Sequence, residues 1–263
     1  MMDINLINKT ALVCGGSQGL GLATAKELAL LGATVILASR TEEKLNEAVK
    51  LLSNTAGQQH SYLVIDLSIP ATAKTIVETW VQNNGPIHIL INNAGGPPAG
   101  PMIGTGAEEL EKAFLAHVIS SHLLAQLLVP GMQKAGYGRI INIVSTSVKQ
   151  PINGLGISNT VRAAMANWAK TLANEIGHGG ITVNNILPGY TNTDRLKYLF
   201  AKQASDQGLQ PADIEKNIIS SIPAKRLGEP EEFGAVAAFL CTPAAAYING
   251  VNIPVDGGRT GSL

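Results

Sequence analysis

The sequence predicts an α/β protein, a doubly wound parallel sheet of about seven strands folded as a single domain over residues 1–263. Three observations predict it. Short β-branched runs alternate along the chain with longer segments of helical period. Most of these runs are continuously apolar, as strands covered on both faces of a parallel sheet are. Their order, strand then helix repeated, winds right-handed crossovers about one sheet.

The first strand is expected at 11–14, followed by a glycine-rich turn and a helix over 19–31. A second strand at 34–38 leads to a helix over 42–52, which carries Leu45, Val49 and Leu52 at helical spacing. A strand at 62–65, a helix over 71–82 and a strand at 87–91 follow. One long helix is expected over 108–134, then a strand at 139–144, a helix over 159–176 and a strand at 182–186. The helix over 230–240 opens on Pro-Glu-Glu, a favourable start, and the last strand covers 251–255. Two segments break the alternation. Residues 95–101, rich in Gly and Pro, are expected as a loop at a pocket mouth. Residues 191–226 are long, polar and rich in Ala, Gln and Lys, and are expected as a substrate lid beside the carboxyl edge of the sheet.

With 45% hydrophobic and 14% charged residues the chain can bury a large core, and its formal net charge of zero gives no basic stripe for nucleic acid. Cys14 and Cys241 lie far apart and form no CxxC pair, so neither a zinc site nor a disulfide framework is expected; they read as reduced core thiols. His60, His88, His122 and His178 are scattered without HxxxH or HExxH spacing, so no metal site is expected. The apolar stretches are broken by Gly and polar residues short of ~20 positions. No signal-peptide core precedes the first strand, and the expectation is a cytoplasmic protein without a membrane partner.

The first strand runs into Gly15, Gly16, Ser17, Gln18, Gly19, Leu20 and Gly21, and a helix follows. Glycines at 15, 19 and 21 let the backbone turn sharply and let a pyrophosphate reach free N–H groups at the helix N-terminus. The strand–turn–helix setting makes this a dinucleotide site. At the end of the second strand stand Ser39 and Arg40. An acidic residue there would hold a ribose 2′-hydroxyl; a small Ser and an Arg able to fork onto a 2′-phosphate favour NADP(H), with NAD(H) the alternative.

Read together, several motifs in order resemble the short-chain dehydrogenase/reductase family, a Rossmann-type fold, over nearly the whole chain. Gly15, Gly19 and Gly21 are similar to its glycine motif, with Cys14 where Thr is usual. Asp66 and Leu67 are similar to the pair that meets the adenine ring, and Asn92, Asn93, Ala94 and Gly95 to the NNAG motif ending the fourth strand. Asn142 to Ser145 resembles the strand carrying the catalytic serine. Pro188 and Gly189, with Thr191 and Thr193, resemble the turn that packs on the nicotinamide and its phosphates. Residues 226–231 and 255–258 resemble the C-terminal signatures. The overall likeness is to 3-oxoacyl-carrier-protein reductase-like members.

The family uses an Asn, a Ser, and a Tyr and Lys spaced YxxxK. Spacing from Ser145 puts the Tyr position at Ser158 and the Lys position at Arg162; spacing from Pro130 puts the Asn position at His117. A tyrosine of pKa ~10 can be tuned toward neutrality, whereas a serine is a far weaker acid and an arginine stays protonated, with a pKa above ~12. The resemblance then implies that Ser145 and Ser158 bind a carbonyl oxygen, that Arg162 holds the nicotinamide ribose, and that His117, with an ordinary pKa near ~6.5, or a water delivers the proton. Lys149 and Tyr190 are expected to line the substrate site. The expected activity is an NADP(H)-dependent oxidoreductase on a carbonyl/alcohol pair; the alternatives are a non-catalytic dinucleotide-binding protein and a lyase or isomerase without net hydride transfer. The helices at 108–134 and 159–176 and the tail at 249–263 resemble the family's subunit contacts, and a homotetramer is expected, with a dimer as the alternative.

Overall fold

The structure, a computed structural model, describes residues 2–262. Seven parallel strands form one sheet in the order β3-β2-β1-β4-β5-β6-β7. The strands are β1 (Thr10–Cys14), β2 (Thr34–Ser39), β3 (Ser61–Val64), β4 (Ile89–Asn92), β5 (Gly138–Ile143), β6 (Ile181–Pro188) and β7 (Asn252–Val255). The helices are α1 (Gly19–Leu30), α2 (Glu42–Val49), α3 (Pro70–Asn84), α4 (Ala107–Phe114), α5 (Ser120–Lys134), α6 (Gly156–Ile176), α7 (Asp194–Gln207), α8 (Pro211–Ser221) and α9 (Pro230–Leu240). The order of strands reverses between β1 and β4, and a crevice opens there at the carboxyl ends.

Alternation along each strand divides the core in two. Ala11 and Val13 of β1 face a layer with Leu28, Leu45 and Phe233 from α1, α2 and α9. Leu12 and Cys14 face the other layer, with Val77, Leu124, Leu128 and Ala173 from α3, α5 and α6. Cys14 and Cys241 are free and buried. The continuous apolar reading holds for β1, β2, β4, β5 and β6, whereas the edge strands β3 and β7 are only partly covered.

Three expectations change. The helix expected over 108–134 is broken by a π turn at Leu115–Ile119, with Pro130 lying inside α5. By length and composition the run Ala107–Lys134 holds an 18-residue window apolar enough to cross a membrane, with a mean hydropathy of 1.5, contrary to the reading that every apolar stretch is too short. In the fold it packs on α3, α6 and β5, and Leu124, Leu128 and Met132 are core. Finally, α6 starts at Gly156 instead of 159, which brings Ser158 into its first turn. The 191–226 excursion holds two real helices, α7 and α8, closed on a small core of Leu196, Phe200, Ala204 and Ile214. It leaves and returns at one point: Asn192 N donates to Gly228 O (2.8 Å) and Gly228 N donates to Tyr190 O (3.0 Å).

An amide ladder, buried on β4, β5 and β6 and reaching the surface at β7, crosses four strands. Asn92 Nδ2 donates to Asn142 Oδ1 (2.8 Å), Asn142 Nδ2 to Asn185 Oδ1 (2.8 Å), and Asn185 Nδ2 to Asn252 Oδ1 (2.7 Å). These four residues are register partners across β4, β5, β6 and β7. Asn142 is fully buried, and both halves of its amide are used. Replacing Asn142 with Leu leaves a donor on Asn92 and an acceptor on Asn185 buried without partners. The expected cost is about 2–4 kcal/mol. Urea unfolding measures it, and a loss under about 1 kcal/mol would remove the ladder from the stability argument.

Candidate active site

The glycine turn between β1 and α1 is shaped for a close ligand. Gly19 sits at φ +57°, a left-handed conformation that favours glycine. A Cβ on Gly21 would strike the Gly15 carbonyl oxygen, so the turn packs back on itself. Asn93 Nδ2 donates to Gly15 O (3.2 Å) and ties the end of β4 to this turn. Gln18 precedes α1 without capping it, and the first turn holds no acidic side chain, so the helix's leading N–H groups are left for an anion. Ser17 is partly buried, Leu20 packs against the core, and Gln18 Oε1 accepts from Lys44 Nζ (3.0 Å).

Ser39 ends β2 with its hydroxyl buried and without a protein partner, the one orphan polar group on this side of the crevice among the described residues. Arg40 beside it is exposed. Partial burial pushes the Asp66 carboxyl up, but bonds from Ser68 N and Oγ (2.8 Å each) and the charges of Arg40 and Lys112 hold it below the usual range on balance. Asp66 therefore stays an acceptor. Leu67 O accepts from Ser120 Oγ (2.5 Å), which anchors this loop to the start of α5. The uncapped α1, the tight turn and the orphan Ser39 hydroxyl fit a dinucleotide with its pyrophosphate at Gly15–Gly21 and its ribose at Ser39.

At the carboxyl ends of β4 and β5 the structure brings together Ser145, Ser158 and Arg162, with His117 beside them. Ser158 and Arg162 are one turn apart on α6, hence on one face. Arg162 Nε donates to Ser158 Oγ (3.1 Å), and its Nη1 to Ile143 O (3.0 Å) and Val144 O (2.7 Å). Burial first, then the Arg195 guanidinium, pushes the Arg162 pKa down to about 10 rather than the expected value above 12; the group remains a cation at neutral pH. Ser145 Oγ accepts from Ser147 N (3.0 Å). Both Ser145 and Ser158 hydroxyls are engaged as acceptors, which leaves each O–H free to donate.

His117 lies on the π turn and is 5% exposed. A turn of five residues re-aims side chains relative to the flanking helix. Its Nε2 lies 3.1 Å from Gly95 O. A carbonyl only accepts, so Nε2 carries the proton and Nδ1 is bare. Burial, then the charge of Arg162, pushes the His117 pKa down to about 3, although the Gly95 bond opposes this. The expectation of a histidine titrating near neutrality is therefore corrected: His117 is a neutral imidazole that holds the Gly95 loop.

The remaining expected residues sit as follows. Ala94 and Gly95 lead the loop out of β4, and a Cβ on Gly95 would meet nothing within 4 Å. Pro188 ends β6, and Gly189 N donates to Val255 O (2.9 Å). Thr191 is buried, and Thr193 Oγ1 accepts from Leu196 N (3.3 Å), which makes it the N-cap of α7. A Cβ on Gly19 would lie 3.8 Å from the Thr193 methyl, so the two sides of the crevice face each other. Tyr190 packs against Phe200 and under Arg259, on the excursion's own core. Lys149 is exposed beyond the turn that follows Ser145. Other histidines serve the fold: His88 Nδ1 accepts from Thr10 N (3.1 Å) and His60 Nδ1 from Val35 N (3.0 Å). Among the described residues no His, Cys, Asp and Glu group could hold a metal.

Sequence reasoning missed Arg195. It stands in the first turn of α7, and its Nη2 donates to Pro97 O (2.7 Å) across the loop leaving β4.

The His117 environment has a pH consequence. Its folded pKa lies below the unfolded one, so the unfolded chain binds the extra proton. Stability is full above pH 6.5 and is lost as pH falls toward 3. From pH 7 to pH 5 this group alone costs about 2 kcal/mol. His117→Gln, which keeps a donor for Gly95 O, is expected to lose that much less over the same range. Denaturant unfolding at both pH values measures the difference, and equal losses in the two proteins would remove His117 as the cause.

The family model described as enoyl-(acyl carrier protein) reductase matches residues 15–260. Dehydrogenase/reductase SDR family member 4 of Oryctolagus cuniculus is 32% identical over 259 residues, 98% of this chain and 96% of that one. The 3-oxoacyl-(acyl-carrier-protein) reductase of Pseudomonas aeruginosa is 33% identical over 260 residues, 97% of this chain and 98% of that one. The crystal structure of L-sorbose reductase from Gluconobacter frateurii, complexed with NADPH and L-sorbose, superimposes with a TM-score of 0.93 at 32% identity and covers 100% of each chain. The glycine turn, the sheet order and these matches agree: the chain belongs to the short-chain dehydrogenase/reductase family.

Proposed function

We propose that the chain is an NADP(H)-dependent reductase of a small carbonyl compound, working without the family's Tyr and Lys. The observation that carries the reading is the cluster at the end of β5, where Arg162 donates to Ser158 Oγ beside Ser145. NADP(H) is preferred over NAD(H) because Ser39 presents an unpartnered buried hydroxyl and Arg40 an exposed cation, with no carboxylate at either position. The L-sorbose reductase relative, itself bound to NADPH, supports the same preference.

When bound, the reduced nicotinamide supplies a hydride to the carbonyl carbon, and carbonyl plus NADPH plus one proton gives alcohol plus NADP⁺. The chain's own groups handle the oxygen. Ser145 and Ser158 donate hydrogen bonds to it, and the Arg162 cation polarises the Ser158 O–H while standing close to the developing negative charge. Neither hydroxyl is acidic enough to be the net proton source, and neutral His117 carries none to spare, so the proton is drawn from the hydronium or buffer acid of bulk solvent. Losing a positioned general acid costs on the order of 10²–10⁴ in rate, so this arrangement suits a carbonyl that is already electrophilic. The 191–226 excursion, hinged where Thr191 meets Gly228, serves as the lid.

The test is single-turnover oxidation of bound NADPH with β-ketoacyl thioesters, α-diketones and quinones. Ser145→Ala and Arg162→Ala are expected to slow it about 10–10³-fold. His117→Ala is expected to act through the Gly95 loop, with no change in the pH profile. Ser39→Asp is expected to weaken NADPH binding at least about 10-fold and favour NADH. The lack of any group titrating near neutrality in the cluster favours a second reading, dinucleotide binding without redox chemistry. NADPH that binds with the same Ser39 and Arg40 dependence but is oxidised by none of these carbonyls would select it.

The homotetramer is also part of this reading. It is supported by the partly uncovered edge strand β7 and by fully exposed Tyr247 just before it. Light scattering is expected to give four times the chain mass; a monomer would refute it.

A further inference from the structure

We infer that the chain holds a second ligand site, for a small oxyanion, at the amino-terminal edge of the sheet, with Arg139 and Thr182 as the side chains that receive it. The inference is independent of the reductase reading.

Arg139 and Thr182 stand at the starts of β5 and β6 and are register partners across the two strands. Register partners in neighbouring strands point to the same face of a sheet. Both line one cleft of about 560 Å³, bounded also by Tyr137 and by Pro243, Ala246 and Asn249 from the chain between α9 and β7. That volume is in the range of sites for small organic molecules. The donor cluster lies at the opposite ends of these strands, where Ser145 follows β5.

Two polar groups at this cleft lack partners. Arg139 is 3% exposed, a cation almost wholly out of water. Its Nη1 donates to Gly138 O (2.8 Å) and Gly180 O (3.2 Å), and its Nη2 to Thr242 O (3.4 Å). A guanidinium has five donors, so these bonds leave some unused. One of them is Nε, buried and without a partner among the described residues. Nε and Nη2 form the edge of a guanidinium that grips an oxyanion in two parallel bonds. Thr182 is 4% exposed, and its Oγ1 is likewise buried and unpartnered. Groups of this kind are costly unless something bonds them.

Charge asks for the same ligand. The ion pairs among the described residues are Lys50–Glu47, Lys202–Asp206 and Arg226–Glu232, all elsewhere. The titratable groups that act on Arg139 are the Tyr137 phenol and the Cys241 thiol, both pushed up by burial and neutral at pH 7. The Tyr137 ring carries two cations, with the Arg139 guanidinium and the Lys9 ammonium each 4.3 Å from its centre. Asp3, whose charge reaches Tyr137, spends Oδ1 on Asn5 N (3.1 Å) and forms no ion pair among the described residues. A buried cation without a counter-charge is destabilising. An oxyanion on the Nε–Nη2 edge that also accepts from the Thr182 hydroxyl satisfies both orphan groups and neutralises Arg139.

Calorimetric titration with citrate and with inorganic phosphate, at constant ionic strength, tests this. The protein is first saturated with NADP⁺, so that neither anion enters the glycine turn. One of them is expected to bind saturably with a Kd at or below about 1 mM. At ten times that Kd it is expected to raise Tm by about 3–6 °C. The tighter of the two names the ligand as a carboxylate or a phosphate. Arg139 also braces three carbonyls, so the nearly isosteric Thr182→Val is the test variant. It is expected to weaken the anion at least about 10-fold and to leave the NADP⁺ Kd unchanged. Its Tm without anion is expected to be equal or higher, because an unpaired buried hydroxyl is gone. A Tm that climbs without saturation, and equally in both proteins, is general salt exclusion and overturns the inference. Absence of binding by both anions overturns it, as does a Thr182→Val protein that binds them as the parent does.

Discussion

The site depends on a row of hydrogen-bonded amides, three of them buried. Asn92, Asn142, Asn185 and Asn252 hydrogen-bond in sequence across β4, β5, β6 and β7. Within a parallel sheet the backbone ladder alone tolerates slippage of register, and a slip of one residue would turn every side chain to the opposite face. An amide ladder forbids this, because a slipped strand strands a donor and an acceptor in a dry interior. The chemistry begins directly after its rungs. Asn93, one residue past the first rung, holds the glycine turn. Ile143 and Val144, past the second, offer the carbonyls that hold Arg162. Pro188 and Gly189 follow three and four residues past the third.

With the strand ends fixed, electrostatics decides what chemistry they permit. Arg162 is a cation held by neutral acceptors, and its field falls on His117 nearby. A buried histidine already resists charging, and the adjacent cation deepens that resistance. The arginine and the titratable histidine are thus incompatible roles in this pocket. Burial first, and the Arg162 cation second, keep His117, the histidine of this cluster, neutral at neutral pH. What remains is a site rich in donors and poor in acids. Such a site can stabilise charge on an oxygen, and it must leave protonation to solvent.

The sheet and the glycine turn were legible because both leave local signals: continuous apolar runs, and glycines at a strand–helix junction. The π turn was not. Leu115–Ile119 keeps an apolar pattern that suits α and π spacing alike, and the extra residue shows only where Ser120 reaches Leu67 O and His117 reaches Gly95 O. The amide ladder was invisible for a different reason. Asn disfavours strands in isolation, and its partners become neighbours only once the order of four strands is known. His117 was found as a position but misread as a charge, since a sequence gives residue type without burial. Arg195 lay in a polar segment where one cation looks like any other, and only the fold turns it back over Pro97.

These contacts converge on one loop, residues 93–101. Asn93 ties its start to the glycine turn, His117 holds Gly95 from the π turn, and Arg195 holds Pro97 from the excursion. At its end, Gly100 N donates to Gly154 O (2.7 Å) and Gly100 O accepts from Gly156 N (3.1 Å), the first residue of the helix that carries Ser158 and Arg162. The loop is therefore a shared wall between the glycine turn, the donor cluster and the 191–226 excursion. The cofactor side and the donor cluster thus lean on one wall held by short, directional bonds.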